Sequence, residues 1–476
     1  MGEPNRTLVA GVDSSTTATK VEVREIDSGR IVAHSSAPHP RTQPPRSEQD
    51  PAAWWSAFES AWEQAGAPDV AAISVAGQQH GMVVLDEERR VVRPAKLWND
   101  TESAPDSAWL IDRLDGGSAA WADACGVVPV PAITITKLSW LHRTEPESWR
   151  RLAHVLLPHD WLTLQLTGRL ATDRGDASGT GYWSAASGAY RFDLLALVDG
   201  ERDWRDVVPP VLGPGDAAGE WRGAVVGPGT GDNMAGALGV GLRPGDVAVS
   251  IGTSGTVYTV SDTPTADPSG AVAGFADASG RHLPLVCTLN ATKVSDAVAR
   301  LLGVDHAGLD DLVLAAAPGA GGLSLLPYLD GERTPNRPSA TGVLSGMRSD
   351  VTREQLARAA VEGVVCGLLD GLDALGVFAP VGGRLLLVGG GAHSRAYRQV
   401  LADLSGRAVR VPRSDQQVAT GACVQAAAVA TRAEPADIAD RWGLGEGDEI
   451  EPGPGASAAP DVRAAYATLR DATAPR

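Results

Sequence analysis

Two hydroxyl-rich segments of the sequence contain the residue types that bind phosphate. Residues 14–20 read SSTTATK and directly follow Asp13, and residues 252–255 read GTSG. Small residues let backbone N–H groups approach a phosphate closely, and a carboxylate such as that of Asp13 is a ligand that Mg²⁺ prefers. Asp13 is equally typical of an ordinary turn, so the residue alone does not decide between the two interpretations.

Three other polar residues have side chains suited to a hydroxylated substrate. Asp232 follows the glycine-rich run at 227–231 and opens a predicted helix of small residues. A carboxylate there can accept a proton from a substrate hydroxyl, and Asp is also favoured as a helix N-cap, so both interpretations stay open. Gln79 and His80 follow a predicted strand at 71–76. Their amide and imidazole can bind sugar hydroxyls, although a polar turn is the simpler interpretation.

Predicted strands and turns position these residues. A continuous apolar run at 8–12 predicts a buried strand, and alternation at 21–26 predicts its hairpin partner, with residues 14–20 at the tip. Residues 246–251 and 256–260 predict a second hairpin, whose tip is the GTSG segment. Two hairpins with the same tip chemistry, about half the chain apart, indicate a duplicated architecture.

The second half of the sequence alternates predicted helices and strands, which is the pattern of an α/β protein. Beyond about residue 434, a composition rich in Asp, Gly, Ala and Pro predicts a loose segment and one terminal helix. The elements predicted here are helices at 351–375, 396–404 and 462–470 and strands at 384–388 and 408–411.

Composition excludes several classes of protein. The 476 residues carry a net charge of −17, with a sequence pI near 5.0, and such an acidic surface disfavours nucleic acid and membranes as partners. No apolar run approaches the length of a membrane span, and residues 1–6 lack a basic-then-apolar signal segment, so we expect a cytoplasmic protein. The four cysteines lie far apart and are expected to be buried thiols.

The sequence also lacks the common nucleotide-binding motifs. It contains no Gly-Lys dipeptide and therefore no Walker A motif, and neither glycine run fits G-x-G-x-x-G. Lysine occurs only at positions 20, 96, 137 and 293, although arginine is abundant. This composition indicates a coding bias toward arginine. A lysine that remains despite this bias is of interest where a compact ammonium is needed, although chance explains at least some of the four.

Ordered motifs over residues 8–428 resemble those of the FGGY carbohydrate kinases. They include GQQHG at 77–81, RPAKLWND at 93–100, LPHDW at 157–161, TDRGDASGT at 172–180 and GDN at 231–233. The second half adds GTSG at 252–255, LPYLDGERTP at 326–335 and GGGA at 389–392. The resemblance implies an α/β fold of two actin-like (ribonuclease H-like) domains hinged around a central cleft.

The resemblance also implies roles for individual residues. Asp232 matches the general base, with Asn233 beside it, and Gln79 and His80 match the pair that contacts the sugar. Asp13 matches the carboxylate near the metal. The residues that match nucleotide-binding positions are Thr16, Thr17 and Lys20 in the first hairpin, Thr253 and Ser254 in the second, and Gly390, Gly391 and Ser394 in the adenosine-binding turn.

The activity implied by the resemblance is phosphoryl transfer from MgATP to a sugar, with D-xylulose as the expected acceptor. Ser15, Gln79 and the segment 287–293 depart from the family's usual pattern, so a kinase for ribulose, gluconate or glycerol stays open. A catalytically silent sugar- or nucleotide-binding protein of the same fold is the alternative from another class. Asp176 is the rival carboxylate, to which we assign a structural role.

The resemblance predicts three parts in the chain. They are an N-terminal domain at 1–240 that binds sugar, a C-terminal domain at 241–432 that binds ATP, and a tail at 433–476. A homodimer is also expected.

Overall fold

The computed structural model describes residues 7–474, so the expectation about a signal segment at residues 1–6 lies outside the described part of the chain. The strands are β1 (Leu8–Ser14), β2 (Ala18–Glu25), β3 (Ile31–Pro38), β4 (Glu48–Gln49), β5 (Ala72–Gly77), β6 (Val83–Leu85), β7 (Ala95–Lys96), β8 (His154–Leu156), β9 (Thr172–Asp173), β10 (Trp183–Ser184), β11 (Ala189–Tyr190), β12 (Val211–Leu212), β13 (Gly219–Trp221), β14 (Ala224–Val226), β15 (Thr230–Gly231), β16 (Val247–Ile251), β17 (Gly255–Thr259), β18 (Ala273–Ala276), β19 (His282–Thr288), β20 (Ser324–Leu326), β21 (Val343–Ser345), β22 (Leu385–Val388), β23 (Val409–Pro412) and β24 (Gly447–Ile450).

α-Helices connect many of these strands, and within residues 7–474 short 3₁₀ helices lie at Ala320–Gly322, Gly390–His393 and Pro454–Ala458. The α-helices are α1 (Pro51–Gln64), α2 (Ala104–Arg113), α3 (Gly117–Cys125), α4 (Thr134–Thr144), α5 (Pro146–Arg151), α6 (Pro158–Thr167), α7 (Arg174–Ala177), α8 (Phe192–Leu195), α9 (Asp232–Gly239), α10 (Thr292–Leu302), α11 (His306–Ala315), α12 (Arg353–Phe378), α13 (Arg395–Ser405), α14 (Gln417–Thr431), α15 (Pro435–Arg441) and α16 (Ala459–Ala472).

The chain divides into two packing units that are not simple halves of the sequence. The first contains the chain up to Gly241 together with Asp262–Leu283 and Gln416–Leu444. The second contains Leu242–Ser261, Pro284–Asp415 and the chain from Gly445 onward. Each unit is built on a mixed β-sheet.

The sheet of the first unit has the strand order β13-β14-β5-β1-β2-β3, with β15 also paired to β5. The predicted hairpin forms β1 and β2, and β5 and β14 lie parallel to β1. One face packs against α1 and α6, with Trp54, Phe58 and Trp161 in the core. The other face packs against α14, whose backbone approaches β1 closely because a Cβ at Gly11 of that strand would lie only 2.1 Å from the Ala419 carbonyl oxygen.

The second sheet repeats this arrangement. Six of its strands run in the order β19-β17-β16-β22-β23-β24. The predicted second hairpin forms β16 and β17, the strands β22 and β23 lie parallel to β16, and the outer strands β19 and β24 are antiparallel to their neighbours. Strand for strand, the directions match those of β3-β2-β1-β5-β14-β13 in the first unit. The predicted duplication is therefore confirmed.

The segment beyond residue 434 is more ordered than its composition predicted. Besides the expected terminal helix, which forms α16, it contains α15 and β24. The strand β24 pairs antiparallel with β23, and a partner this distant in sequence gives no signal in local composition. The cysteines are free and buried, as expected.

Candidate active site

The first hairpin places Asp13 and Lys20 opposite each other at the end of β1. Asp13 Oδ2 lies 3.1 Å from Lys20 Nζ, whereas its Oδ1 is buried without a hydrogen-bond partner. Burial raises the pKa of Asp13, and the Lys20 ammonium partly offsets that rise. An anionic oxygen with no partner in the protein is a suitable ligand for a divalent cation, because burying it alone is costly. The residues present therefore fit a magnesium ion.

The tip of this hairpin is closed by its own hydroxyl groups. Ser15 Oγ donates to the Ala18 carbonyl at 2.9 Å, so the serine side chain closes the turn. Thr16 Oγ1 donates to Gln78 Oε1 and accepts from Trp98 Nε1, both at 3.0 Å. Thr17 is exposed at the tip. The fixed Thr16 and exposed Thr17 give this tip a defined backbone with an accessible hydroxyl.

Asp232 is brought close to Asp13 by strand pairing. The register pairs Asp13 with Ala76 of β5, and β15 pairs Gly231 with Gly77, so both carboxylates flank the end of β5. The N-cap of α9 is Gly231, and Asp232 is the first residue of the helix. Asn233 donates to Asp232 Oδ1 from its backbone at 2.8 Å and from its side chain at 3.0 Å.

The electrostatic setting of Asp232 suits a proton acceptor. Its side chain is half-buried, and desolvation raises its pKa to about 7, with further contributions from the negative charges of Asp13 and Asp176. A base is most effective when its pKa lies near the working pH. The N-cap interpretation left open by the sequence is therefore not supported, since Gly231 occupies that position.

Gln79 lies next to this carboxylate, and His80 Nε2 lies 3.4 Å from Gln79 Nε2. Gln79 Oε1 accepts a hydrogen bond from the side chain of Asn233, which links the glutamine to Asp232. His80 has a φ of +61°, and its ring packs against Phe275 with a centroid distance of 5.0 Å. The ring leaves no room for a side chain at residue 179, where a Cβ would lie 1.7 Å from His80 Cε1. The four residues expected to contact the sugar thus lie together in the first unit.

In the second unit, Thr253 and Ser254 lie at the tip of the second hairpin, where Thr253 is exposed. The carbonyls of Gly252 and Thr253 accept from the backbone N–H groups of Thr292 and Ala291, at 2.8 and 3.2 Å. These hydrogen bonds hold the tip against the first turn of α10. A hairpin tip held next to a helix N-terminus is a favourable setting for phosphate.

The glycine turn after β22 lies next to this hairpin. A Cβ at Gly391 would lie 2.3 Å from a methyl group of Ile251, whereas Gly390 faces open space. Ser394 caps α13 by accepting from Tyr397 N, and its hydroxyl donates to Asp310 at 2.6 Å. The backbone at Gly390 can therefore approach a ligand, whereas the hydroxyl of Ser394 is already engaged within the protein.

Sequence reasoning missed a buried cluster of ionisable groups below Gln79 and His80. His159 Nε2 lies 3.2 Å from Asp160 Oδ1, 3.3 Å from Asp173 Oδ1 and 3.7 Å from Asp176 Oδ2. All four side chains are almost fully buried. Their motifs, LPHDW and TDRGDASGT, contribute to the family resemblance, but no local pattern in either motif indicates that their side chains meet. Asp176, expected to be structural, contacts His80 through its Oδ1.

A second cluster of charged groups explains one of the rare lysines. Oxygens of Glu48, Asp100 and Glu102 lie within 4.8 Å of one another, a spacing that could hold a metal ion. Lys96 Nζ lies 2.6–3.2 Å from all three and 3.8 Å from the centroid of the Trp140 ring. Lys96 and Asp100 are fully buried and the two glutamates partly buried, so the ammonium supplies positive charge within a partly buried ion network.

Comparison with known proteins identifies the family. The sequence profile of the FGGY family of carbohydrate kinases, N-terminal domain, matches residues 8–239, and the profile of the C-terminal domain matches residues 247–430. The chain belongs to the FGGY family of carbohydrate kinases. It is therefore an ATP-dependent carbohydrate kinase, and the predicted fold class, mixed α/β of the actin-like type, is confirmed.

Individual relatives are similar over nearly the whole chain. A protein named xylulose kinase from Streptomyces rubiginosus is 48% identical over 93% of this chain and 92% of its own length. The xylulose kinase of Escherichia coli K12 is 36% identical over 84% of this chain and 85% of its own. The crystal structure of xylulose kinase from Bifidobacterium adolescentis is 42% identical, with a TM-score of 0.86, and the match covers 98% of this chain and 100% of that one.

Within the described residues 7–474, no helix of this FGGY kinase is both long and apolar enough to span a bilayer.

Proposed function

We propose that this FGGY kinase transfers the γ-phosphoryl group of ATP to the terminal hydroxyl, O5, of D-xylulose, giving D-xylulose 5-phosphate and ADP. The observation that carries the proposal is the contact of Asn233 with both Gln79 and Asp232. It joins two groups that can bind sugar hydroxyls to a carboxylate that can accept a proton. Relatives named xylulose kinase at 48% and 36% identity support the choice of sugar.

Asp232 is proposed as the general base. Its carboxylate takes the proton of the sugar hydroxyl as the oxygen attacks the γ-phosphorus in line with the leaving ADP. With a pKa of about 7, the group is substantially ionised at neutral pH and can still hold the proton it receives. Gln79, His80 and Asn233 are proposed to orient the sugar by hydrogen bonds to its other hydroxyls.

The remaining predicted residues are assigned to MgATP. Asp13, with its unpartnered Oδ1, is the proposed magnesium ligand. When bound, the ion offsets negative charge on the phosphates. Lys20, half exposed beside Asp13, adds a second positive charge. Phosphate contacts are proposed for Thr16, Thr17, Thr253 and Ser254, and adenosine contacts for Gly390, Gly391 and Ser394.

The division into a sugar-binding domain at 1–240, an ATP-binding domain at 241–432 and a tail at 433–476 remains part of the proposal. A cytoplasmic location is proposed because ATP is the phosphoryl donor. A homodimer is also proposed, and sedimentation equilibrium of the purified protein tests it.

The test is ADP release with MgATP and a panel of acceptors, using wild type and Asp232→Asn. The acceptors are D-xylulose, D-ribulose, L-ribulose, gluconate, glycerol and no sugar. We expect D-xylulose to give the highest kcat/KM and the variant to lose about 10²–10⁴-fold in kcat. Asp69→Asn, the same change at an exposed residue of the first unit, is the control and should retain wild-type turnover.

Each other outcome selects a different alternative. A higher kcat/KM for another acceptor would keep the kinase and reject D-xylulose as its sugar. Turnover retained in Asp232→Asn would reject the proposed base. No turnover with any acceptor would favour the silent binding protein.

A further inference from the structure

The buried cluster around His159 lies in the interior of the first unit. It adjoins the proposed sugar-binding pair, Gln79 and His80, because Asp176 of the cluster contacts His80. His159 and Asp160 come from the start of α6, Asp173 from the end of β9, and Asp176 from α7. Gly229 lies against the His159 ring, since a Cβ there would lie 2.6 Å from Nδ1, and Gly77 lies against the Cβ and backbone of His159, 3.0 Å from where its own Cβ would be. The imidazole is thus sealed among three carboxyl groups.

The charges of this cluster depend on one another. Burial alone lowers the pKa of His159, but Asp160, Asp173 and Asp176 together raise it to about 9. Burial raises the pKa of Asp176 to about 7, and the positive charge of His159 opposes that rise. Asp173 and Asp232 also face Asp176 with negative charge, and Tyr182 lies close to both Asp160 and Asp176. His159 is therefore the positive group that favours ionisation of Asp176.

Asp176 in turn contacts His80 twice. Its Oδ1 lies 3.0 Å from His80 Nδ1 and accepts from the backbone N–H of His80 at 3.2 Å. An ionised carboxylate can only accept hydrogen bonds, so it selects the imidazole tautomer that carries its proton on Nδ1. The other nitrogen, Nε2, then carries a lone pair, and Gln79 Nε2 lies 3.4 Å from it, a long contact that a sugar hydroxyl can replace. A protonated Asp176 could instead donate to Nδ1, which would move the imidazole proton to Nε2.

We propose that His159 is a positioning residue whose positive charge keeps Asp176 ionised, so that His80 presents Nε2 as an acceptor for a sugar hydroxyl. The inference rests on the proposed function, because it requires His80 to contact the sugar. The effect of His159 on His80 passes through Asp176, whose Oδ2 lies 3.7 Å from His159 Nε2 and has no hydrogen-bond partner.

The first experiment needs no substrate. Long-range ¹H–¹⁵N correlation spectra of ¹⁵N-histidine-labelled wild type report which imidazole nitrogens carry protons. His80→Gln assigns the His80 signal, and Asp160→Asn identifies the His159 signal by its shift, because Asp160 Oδ1 lies 3.2 Å from His159 Nε2. At pH 7 we expect His159 to be doubly protonated and His80 to be neutral with its proton on Nδ1. A neutral His159, or a proton on Nε2 of a neutral His80, would overturn the proposal even if His159→Gln failed to fold.

The second experiment measures the Kd of D-xylulose by calorimetry without nucleotide, between pH 6 and pH 9. Loss of the cation raises the pKa of Asp176, so His159→Gln should bind at least about tenfold more weakly at pH 7 and recover as the pH rises. Asp160→Asn removes a buried charge of the opposite sign from the same cluster. It should not weaken binding selectively at low pH, because it takes away a negative charge that disfavours ionisation of Asp176.

The outcomes separate this inference from the proposed function. Equal weakening by His159→Gln at every pH would indicate packing alone and overturn the positioning role, as would an unchanged pH profile. If the wild type binds and phosphorylates a different sugar, the calorimetry is repeated with that sugar. If it turns over none, the proposed function fails, and the histidine spectra still decide whether His159 controls the protonation of His80.

Discussion

Asp232 illustrates how a catalytic group conflicts with stability. Its carboxylate lies where burial and the charges of Asp13 and Asp176 disfavour the ionised form, which is the form that a base needs. The folded protein holds the group there because β15 and α9 fix the backbone on both sides of it. A neutral residue of the same shape should therefore suit the fold better than the aspartate does.

Asp232→Asn is expected to lose about 10²–10⁴-fold in kcat and yet to be more stable than wild type at pH 8. The folded-state pKa, about 7, lies above the unfolded value of 3.8, so the cost of ionisation is absent below pH 4 and complete above pH 7. Because solvent reaches the half-buried side chain, we expect a gain of about 1–3 kcal/mol in the free energy of unfolding at pH 8, less than the full pKa shift would give. Thermal unfolding at pH 8 and pH 5.5 measures this gain.

The gain should shrink at pH 5.5, where the wild-type carboxyl is protonated in the folded state. Asp69→Asn, at an exposed site, should change stability little at either pH. An Asp232→Asn protein that is less stable than wild type at pH 8 would contradict the interpretation that the ionised Asp232 destabilises the folded protein.

Among single residues, the sequence predicts which side chains belong to the candidate site better than it predicts the charged groups that those side chains contact. Asp13, Gln79 and Asp232 lie next to the ends of predicted strands or helices. The hydrophobic periodicity and the nearby glycines predict those ends, so these residues can be picked out from the sequence. His159 and Lys96 cannot be picked out in this way, because part of the charge around each comes from other segments: Asp173 and Asp176 lie near His159, and Glu48 lies near Lys96. Charge pairing of this kind is a property of the folded chain and leaves no local pattern.

The position of Asp232 depends on a close contact between two helices, α9 and α14. A Cβ at Gly421 of α14 would lie 1.8 Å from the carbonyl oxygen of Ala235, and one at Gly239 of α9 would lie 1.8 Å from that of Gln417. Each helix therefore contributes a glycine where the other's backbone passes. Neither glycine has a positive φ, so close packing, not a special conformation, requires them.

Gly421→Ala should push α9 away from α14 and displace its first residue, Asp232. We expect a loss of about 3 kcal/mol in the free energy of unfolding, because backbone atoms cannot yield as side chains do. We also expect kcat to fall by about tenfold or more, since small misplacements of a catalytic group are costly. Thermal unfolding and steady-state kinetics with the preferred sugar measure the two effects.

Gly376→Ala is the matched control within a helix, α12. Its Cβ would meet only a methyl group of Val381, at an ordinary 3.4 Å, so the change should stabilise the protein by about 0.4–1 kcal/mol and leave kcat unchanged. Wild-type stability and kcat in Gly421→Ala would show that the helices separate at no cost, contrary to the packing argument.

Among the elements, both hairpins and the later α/β alternation were predictable because each has a clear hydrophobic period. The packing of α14 against the first sheet was not, since this helix follows β23 of the second sheet in sequence. Its run of buried alanines predicts a helix but does not indicate which sheet it covers. Contacts between segments so far apart are decided by the complete fold.

Duplication gives the two units sheets with matching strand order and direction, but the residues at the ends of the strands differ between the units. Gln79, His80 and Asp232 lie in the first unit, and Gly390, Gly391 and Ser394 lie in the second. If the proposed roles are right, sugar and adenosine should each protect the backbone of one unit. Hydrogen exchange read by mass spectrometry can measure this protection peptide by peptide.

We expect D-xylulose alone to slow exchange at residues 77–80 and 230–236 and to leave 389–394 unchanged. Adenosine alone should slow exchange at 389–394 only, and MgADP should extend the protection to 14–20 and 252–255, the two segments proposed to contact its phosphates. A ligand at 100 times its Kd should raise the free energy of unfolding by about 2.7 kcal/mol where opening requires its release. Adenosine protection at 77–80 without protection at 389–394 would reverse the assignment of the two units, and phosphate-independent protection at 14–20 would remove that tip from the phosphate site.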